Sequence, residues 1–361
     1  TILPTYLSAL TNIKDLYIYK ILFQIVFAFS PVGIFLLAKK LNQNTTIAFL
    51  AGFFYICNPW FIDPMTTLNR QEIAFFFFIL VLLLLFEKKL NSLSKYPLLG
   101  ILTVGLVVSH YSSTYVTVLL FSTIYFLGLI INLLNRLRFH LVKTSINLNI
   151  KFFYLLFLIA ATFIWYVAIN HSTTNLTDVA RNTYKNLPNI FNQELRTSII
   201  EQLINPKKEK ISEKTYQEYY QIKSGEYSNR EKFDTYQPKY YSNYHINLKN
   251  SIVLPIKNKL PYEITNNIYV LALMFIEISL LVGTIILLFT KTRKKIDANF
   301  ILFIITCELT LALMTILPYI SIGYNFDRLY MQVMFILSLV EILGAFYLIN
   351  LITNRKKLSL K

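Results

Sequence analysis

Nine apolar segments dominate the chain: 18–38, 42–61, 70–87, 97–109, 115–134, 152–169, 268–290, 300–320 and 328–352. A helix rises about 1.5 Å per residue, so roughly 20 residues cross a hydrocarbon layer of about 30 Å. Most of the segments meet that length, and Pro97–Ser109 falls short of it. Charged residues make up 15% of the chain, well under the roughly 25% of soluble domains, which excludes an ordinary water-soluble globule. The reading is an all-α, polytopic transmembrane bundle carrying one polar insertion. Its two cysteines, Cys57 and Cys307, lie in different apolar segments. They argue against a disulfide framework and against a thiolate metal site.

The net charge of +16 belongs to the loops before it belongs to any nucleic-acid partner, and none is expected. The segments 39–45, 87–96, 135–151, 291–299 and 353–361 hold 17 basic residues, whereas the alternating short segments hold four, Lys14, Lys20, Arg70 and Arg328. By the positive-inside rule the first set is cytoplasmic, including the C-terminus. The insertion 170–267 carries 14 basic and 10 acidic residues. Long loops cross largely regardless of charge, so this one is expected outside.

Three regions follow: a membrane block 1–169 with an outward-facing polar recess, an extracytoplasmic loop or small ectodomain 170–267, and a membrane block 268–361. The insertion opens with Asn170-His-Ser and Asn175-Leu-Thr, two N-glycosylation triplets on the expected outer side; Asn44-Thr-Thr falls inside and is expected silent. Apolar residues from Leu187 to Leu203 recur at helical spacing and predict an amphipathic helix over 187–204. It suits the outer leaflet or a small ectodomain equally. The tyrosine-rich stretch 207–250 has few aliphatic residues and reads as a loosely ordered loop. Thr1 stands where a start Met would, and the chain reads as part of a longer protein lacking its first span.

Polar residues at the membrane boundary gather on the expected outer side, at Asn58-Pro-Trp-Phe-Ile-Asp63-Pro, Asn69-Arg70-Gln71-Glu72, Ser109-His110-Tyr111-Ser112-Ser113 and Tyr324-Asn-Phe-Asp327-Arg328. Arg70 and Arg328 each open a helix. A guanidinium binds phosphate oxygens as a fork, and a helix N-terminus adds positive potential. The alternative is an interfacial arginine reaching for lipid headgroups. Because 97–109 is short, the chain is expected to break at His110 below the membrane surface, where irregular backbone must be buried in protein or line a wet cavity. His110 and Tyr111 then hydrogen-bond a phosphate or pyrophosphate, or transfer a proton near neutral pH, or else form a structural kink. Three acids, Glu277, Glu308 and Glu341, fall one in each of the last three spans; intramembrane acids are costly and usually functional.

Together, the Asn58 to Asp63-Pro pattern, the helix start Arg70-Gln71-Glu72-Ile-Ala-Phe-Phe, the Ser109-His110-Tyr111-Ser112 break and the late Tyr324-Asn-Phe-Asp327-Arg328 resemble archaeal members of the C-type glycosyltransferase superfamily. The likeness is strongest to a family of archaeal multispanning membrane proteins of unassigned activity. It spans nearly the whole chain through short motifs. It implies transfer of a sugar from a polyprenyl-phosphate carrier to a glycan or protein acceptor on the non-cytoplasmic face. On that resemblance Arg70, Glu72, His110, Tyr111, Asp327 and Arg328 bind the carrier phosphate, with Glu72 orienting Arg70. The family's catalytic acid is expected upstream of Thr1, leaving Asp63 as a secondary acid or metal ligand, and a divalent cation stays open.

Two other readings stand beside it. One is an ion-coupled transporter using Glu277, Glu308 and Glu341, although paired broken helices in two related halves are absent from the sequence. The other is a non-catalytic membrane subunit of a surface-glycan complex that presents 170–267 to a partner.

Overall fold

The computed structural model of the chain describes residues 2–42, 44–58, 61, 69–137, 146–171, 177, 181, 184–185, 262–289, 297–316 and 326–353. Asp63, Tyr324, Asn175, the helix expected at 187–204 and the tyrosine-rich stretch lie outside these residues. Among the described residues every regular element is helical: α1 Ile2–Thr11, α2 Asp15–Asn42, α3 Thr45–Cys57, α4 Asn69–Leu85, α5 Ser92–Ser109, α6 Tyr111–Arg136, α7 Phe152–Ile169, α8 Tyr262–Phe289, α9 Ala298–Ile316 and α10 Phe326–Ile352. Seven are long and apolar enough to cross a membrane, namely α2, α5, α6, α7, α8 over Asn267–Phe289, α9 and α10. The protein is a multi-pass, all-α membrane protein.

Two segments differ from their sequence reading. The short segment 97–109 belongs to a helix that starts at Ser92 and runs 18 residues, about 27 Å at the α-helical rise. Asn91 caps it by accepting from the Ser94 N–H at 2.9 Å, and Pro97 is housed inside. The polar opening Ser92-Leu-Ser-Lys-Tyr hides this start from a hydropathy reading. His110 therefore follows a full-length helix, and the argument from a helix too short to cross falls. Conversely, 42–61 yields only the 13-residue α3, about 20 Å long. Asn44, the first residue of the third glycosylation triplet, is the N-cap of α3, accepting from Thr46 N and Ile47 N.

The chain divides into two units, Thr1–Thr197 with Leu273–Lys361, and Ser198–Ala272. Of the second unit, the opening turns of α8 are described. In the first, α10 is the central element: every residue from Met331 to Val340 is buried, as befits a helix apolar all round and surrounded by others. Phe335 of α10 meets Tyr55 of α3 at 4.9 Å between ring centroids, and Phe75 and Phe78 of α4 at 5.6 and 5.8 Å. Phe27 and Phe61 extend this aromatic layer. Lipid tails are as apolar as leucine, so such close packing and interhelical hydrogen bonds, rather than escape from water, hold the bundle together.

The lysine-bearing end is knitted by polar contacts. Lys40 pairs with Glu87 at 2.5 Å and Lys88 with Asp297 at 2.8 Å. Lys95 donates to the Leu85 and Glu87 carbonyls that end α4. Asn299 donates to the Asn147 carbonyl and accepts from Asn149 N. Burial alone would raise the Asp297 carboxyl, but hydrogen bonds from Lys88 and Asn299 outweigh it and hold it below its ordinary range.

Candidate functional site

At the opposite end the pattern changes. His110 takes an extended backbone (φ −155°, ψ 122°), ends α5 and starts α6. Its Nδ1 accepts from the Ser113 N–H at 3.4 Å and lies 3.0 and 3.1 Å from the Ser113 and Ser112 hydroxyls. A backbone N–H can only donate, so Nδ1 is the acceptor and the ring proton resides on Nε2. The imidazole is 7% exposed. Burial first, then the positive charges of Arg328 and Arg70, push it down to about 3, so the ring is neutral at physiological pH.

The break is closed by two hydroxyls. Thr114 Oγ1 donates to the His110 carbonyl at 2.9 Å and reaches the Leu106 carbonyl at 3.3 Å. The Tyr166 hydroxyl donates to the Val107 carbonyl. The Val107 carbonyl is one of those that the end of a helix leaves open, whereas the His110 and Leu106 carbonyls also accept the Thr114 and His110 N–H groups. Tyr166 sits in a π-helical stretch, Ile164–Ile169, at the end of α7, and a second one, Ile18–Leu22, lies near the start of α2. By chain direction both fall at the His110 end. Such stretches are frequent at functional sites. Tyr111, Tyr115 and Tyr166 form a ring triad with centroids 5.4 to 6.5 Å apart, and the His110 ring stands 5.1 Å from Tyr111.

Arg70 and Arg328 both act electrostatically on His110, so the bundle brings α4, α6 and α10 starts together. Arg70 also acts on Tyr166. Arg70 is exposed and Arg328 half-buried, with Arg328 Nε enclosed and lacking a hydrogen-bond partner among the described residues. Among the described residues neither arginine forms an ion pair. One turn inward from Arg328, Gln332 donates to the Ser113 carbonyl and to Thr117 Oγ1, each at 3.0 Å. That tie fixes the register of α10 against α6.

Glu72 does not do what its spacing from Arg70 suggests. Residues two apart on a helix do not face each other. Glu72 is 2% exposed and turned toward Gln24 of α2, while Arg70 points outward. Asp327 is half-buried beside Arg328 in the first turn of α10. The three intramembrane acids separate: Glu341 is buried, Glu308 accepts from the Thr284 hydroxyl of α8, and Glu277 is exposed. Among the described residues no group of three or more His, Cys, Asp or Glu gathers as a metal site.

Sequence reasoning passed over Tyr166, Thr114 and Gln332. Gln332 had a legible signal, an amide four residues after Arg328 within an apolar span. Tyr166 had none, since it stands among Ile164, Trp165 and Val167 in a uniformly apolar run.

The fold and this end of it define a helical multi-pass membrane protein with a basic, tyrosine-lined group of helix N-termini. A family model described as "Predicted membrane protein (DUF2206)" matches residues 95–222, a stretch that includes His110, Thr114 and Tyr166. The chain matches no curated protein and no solved structure.

Proposed function

We propose that this protein is a membrane glycosyltransferase of the C-type kind, moving a sugar from a polyprenyl-phosphate carrier to a glycan or protein acceptor outside the cytoplasm. The observation that carries the reading is the convergence of Arg70 and Arg328, without ion-pair partners among the described residues, on a neutral His110. In the reaction the acceptor oxygen bonds to the anomeric carbon as the bond from that carbon to the carrier phosphate oxygen breaks, and the acceptor's proton passes to a carboxylate base of the kind the resemblance implies. Negative charge grows on the leaving phosphate. Arg70 and Arg328 neutralise it, and the His110 Nε2–H and the Tyr111 hydroxyl donate hydrogen bonds to it. Asp327 shares the first turn of α10 with Arg328. In this reading 170–267 stands outside the cell with the acceptor, and the lysine-rich end and C-terminus face the cytoplasm, as the positive-inside rule favours.

Arg70→Ala and Arg328→Ala each lower hexose transfer from a prenyl-phosphate donor in proteoliposomes by about 10²-fold or more, the usual loss when a transition-state donor is removed. Membrane insertion stays normal. Turnover near the parent level in both variants defeats the assignment.

A second reading, an ion-coupled transporter, draws on Glu341, which is 2% exposed in the central helix, with Oε1 unpaired among the described residues. Proton-coupled uptake by the purified protein, lost on Glu308→Gln, favours it over the enzyme.

A further inference from the structure

Of the three acids inside the last spans, two are sheltered by the bundle: Glu341 is buried, and Glu308 accepts from the Thr284 hydroxyl. Glu277 is exposed on α8. Within the apolar stretch Asn267–Phe289 it stands 10 residues from one end and 12 from the other, about 15 and 18 Å along the axis. Its short side chain cannot reach either interface in the way that a lysine or arginine does. Ionisable groups at such depth are costly, and they almost always face a bundle interior or pair with another polar group. Glu277 acts electrostatically on Tyr330 of α10, but the Tyr330 hydroxyl is hydrogen-bonded to Asn58. Among the described residues Glu277 has no hydrogen-bond or ion-pair partner of its own.

The face around it is free of the bundle. Ser279 and Gly283 turn toward α10, against Gly344 and Val340. Residues two apart do not share a helix face, so Glu277 looks away from that crossing. Met274 and Leu281, three residues before it and four after, are 47% and 62% exposed. Three-and-four spacing is the seam along which two helices pack at a shallow angle, in membranes as in coiled coils. Lipid covers the apolar members of such a seam as well as another helix would, but it offers the carboxyl nothing.

A second copy of the chain is the occupant that symmetry singles out. A two-fold axis along the membrane normal sets each side chain opposite its own equivalent at the same depth. A protonated carboxyl offers both a donor and an acceptor, so two Glu277 groups satisfy one another. Residues 268–290 hold no basic side chain that could serve instead. A different protein would have to bring a polar group to this one depth, and a second copy does so by construction.

We propose that α8 is a homodimer interface within the membrane, in which α8 of two copies run parallel and their Glu277 carboxyls hydrogen-bond across the axis. The interface is independent of the phosphate reading of Arg70 and Arg328.

The full chain, labelled with a fluorophore, is reconstituted in liposomes, and its dimer fraction is followed by single-molecule photobleaching over a range of protein densities. The parent forms dimers. Glu277→Leu raises the dissociation constant at least tenfold while helical content stays unchanged, and Glu277→Gln, which keeps a donor and an acceptor, stays close to the parent. In a second arm single cysteines are introduced with the exposed Cys57 replaced by Ser. Met274→Cys and Leu281→Cys yield dimers with a short bis-maleimide, whereas Ile101→Cys on α5, 68% exposed, yields none. A parent that stays monomeric at every density leaves the face to lipid or to a different protein and overturns the interface. So does a Glu277→Leu dimer as tight as the parent's, or cross-linking through Ile101→Cys as strong as through Met274→Cys.

Discussion

Gly344 of α10 lies so close to Gly283 of α8 that a Cβ on Gly344 would stand 2.7 Å from the Gly283 nitrogen, and closer still to the Ser279 carbonyl. Small residues let membrane helices approach until their backbones touch, and the close packing replaces the missing hydrophobic drive. The obstacle at both positions is backbone, which cannot swing aside.

Gly344→Ala should therefore destabilise the protein by about 1–3 kcal/mol, the usual range for overpacking, although alanine is the better helix former. Gly100→Ala is the control, since its nearest neighbour is the Phe157 ring at 3.9 Å. Thermal unfolding in detergent should show a lowered midpoint for Gly344→Ala and an unchanged or raised one for Gly100→Ala. Equal midpoints would mean that α8 and α10 do not depend on this crossing.

His110 has two separable jobs, capping α6 through Nδ1 and offering Nε2–H to a ligand. Asparagine caps as well as any residue, and loss of a cap costs about 0.5–2 kcal/mol. His110→Ala should lose both stability and carrier-phosphate affinity, whereas His110→Asn should keep most of the stability and lose the affinity. The pH dependence has a definite sign. The unfolded imidazole takes a proton near 6.5, the folded one only at about 3, so between these values the unfolded state binds more protons. The contribution of His110 is complete above the unfolded value and is lost as pH falls toward the folded one. Stability of the parent should fall faster than that of His110→Asn over this window; parallel curves would show that the ring is not held neutral.

At the lysine end, Asn299 is 6% exposed and joins the start of α9 to Asn147 and Asn149. Asn299→Ala removes both bonds, to the exposed Asn147 carbonyl and the half-buried Asn149 N–H, and should cost about 1 kcal/mol, read from the unfolding midpoint. Glu87 behaves differently. Hydrogen bonds from the Lys40 side chain and the Lys89 N–H push its carboxyl down to about 2. Its contribution is present above the unfolded carboxylate value and lost as pH falls toward 2, and because the pair is surface-exposed the effect is small. Glu87→Gln should change the midpoint little at pH 7 and less at pH 3. A large change at pH 7 would assign this pair a weight that its exposure does not allow.

Sidedness can be read directly. With the exposed Cys57 replaced by Ser and the buried Cys307 left in place, Lys88→Cys and Arg70→Cys are labelled with an impermeant maleimide. The Lys88 side chain is 77% exposed. Arg70→Cys should react from outside the cell and Lys88→Cys only after permeabilisation. The reverse result removes the proposed outer location of the site.

Much of the fold was legible because helix length and loop charge are local properties. The Asn58, Arg70, His110 and Arg328 stretches stood out as polar interruptions, and the structure draws Arg70, His110 and Arg328 together. Inward faces were not legible. In a membrane helix the core-facing and lipid-facing sides are both apolar, so periodicity does not say which way a residue points. Glu72 and Glu277 illustrate it: one is shut away against α2, the other is exposed on α8.

The sequence alone determined that this protein is a multi-pass helical bundle with a lysine-rich end and an opposite end rich in Arg, His and Tyr, because hydrocarbon thickness and charge leave few other solutions. Tertiary structure decided the rest: that α5 begins at Ser92, that His110 spends Nδ1 on a cap, that Tyr166 closes the break, and that Gln332 ties α10 to Ser113 and Thr117 of α6. Each depends on how a helix is rotated about its own axis against its neighbours, and interhelical packing sets that rotation.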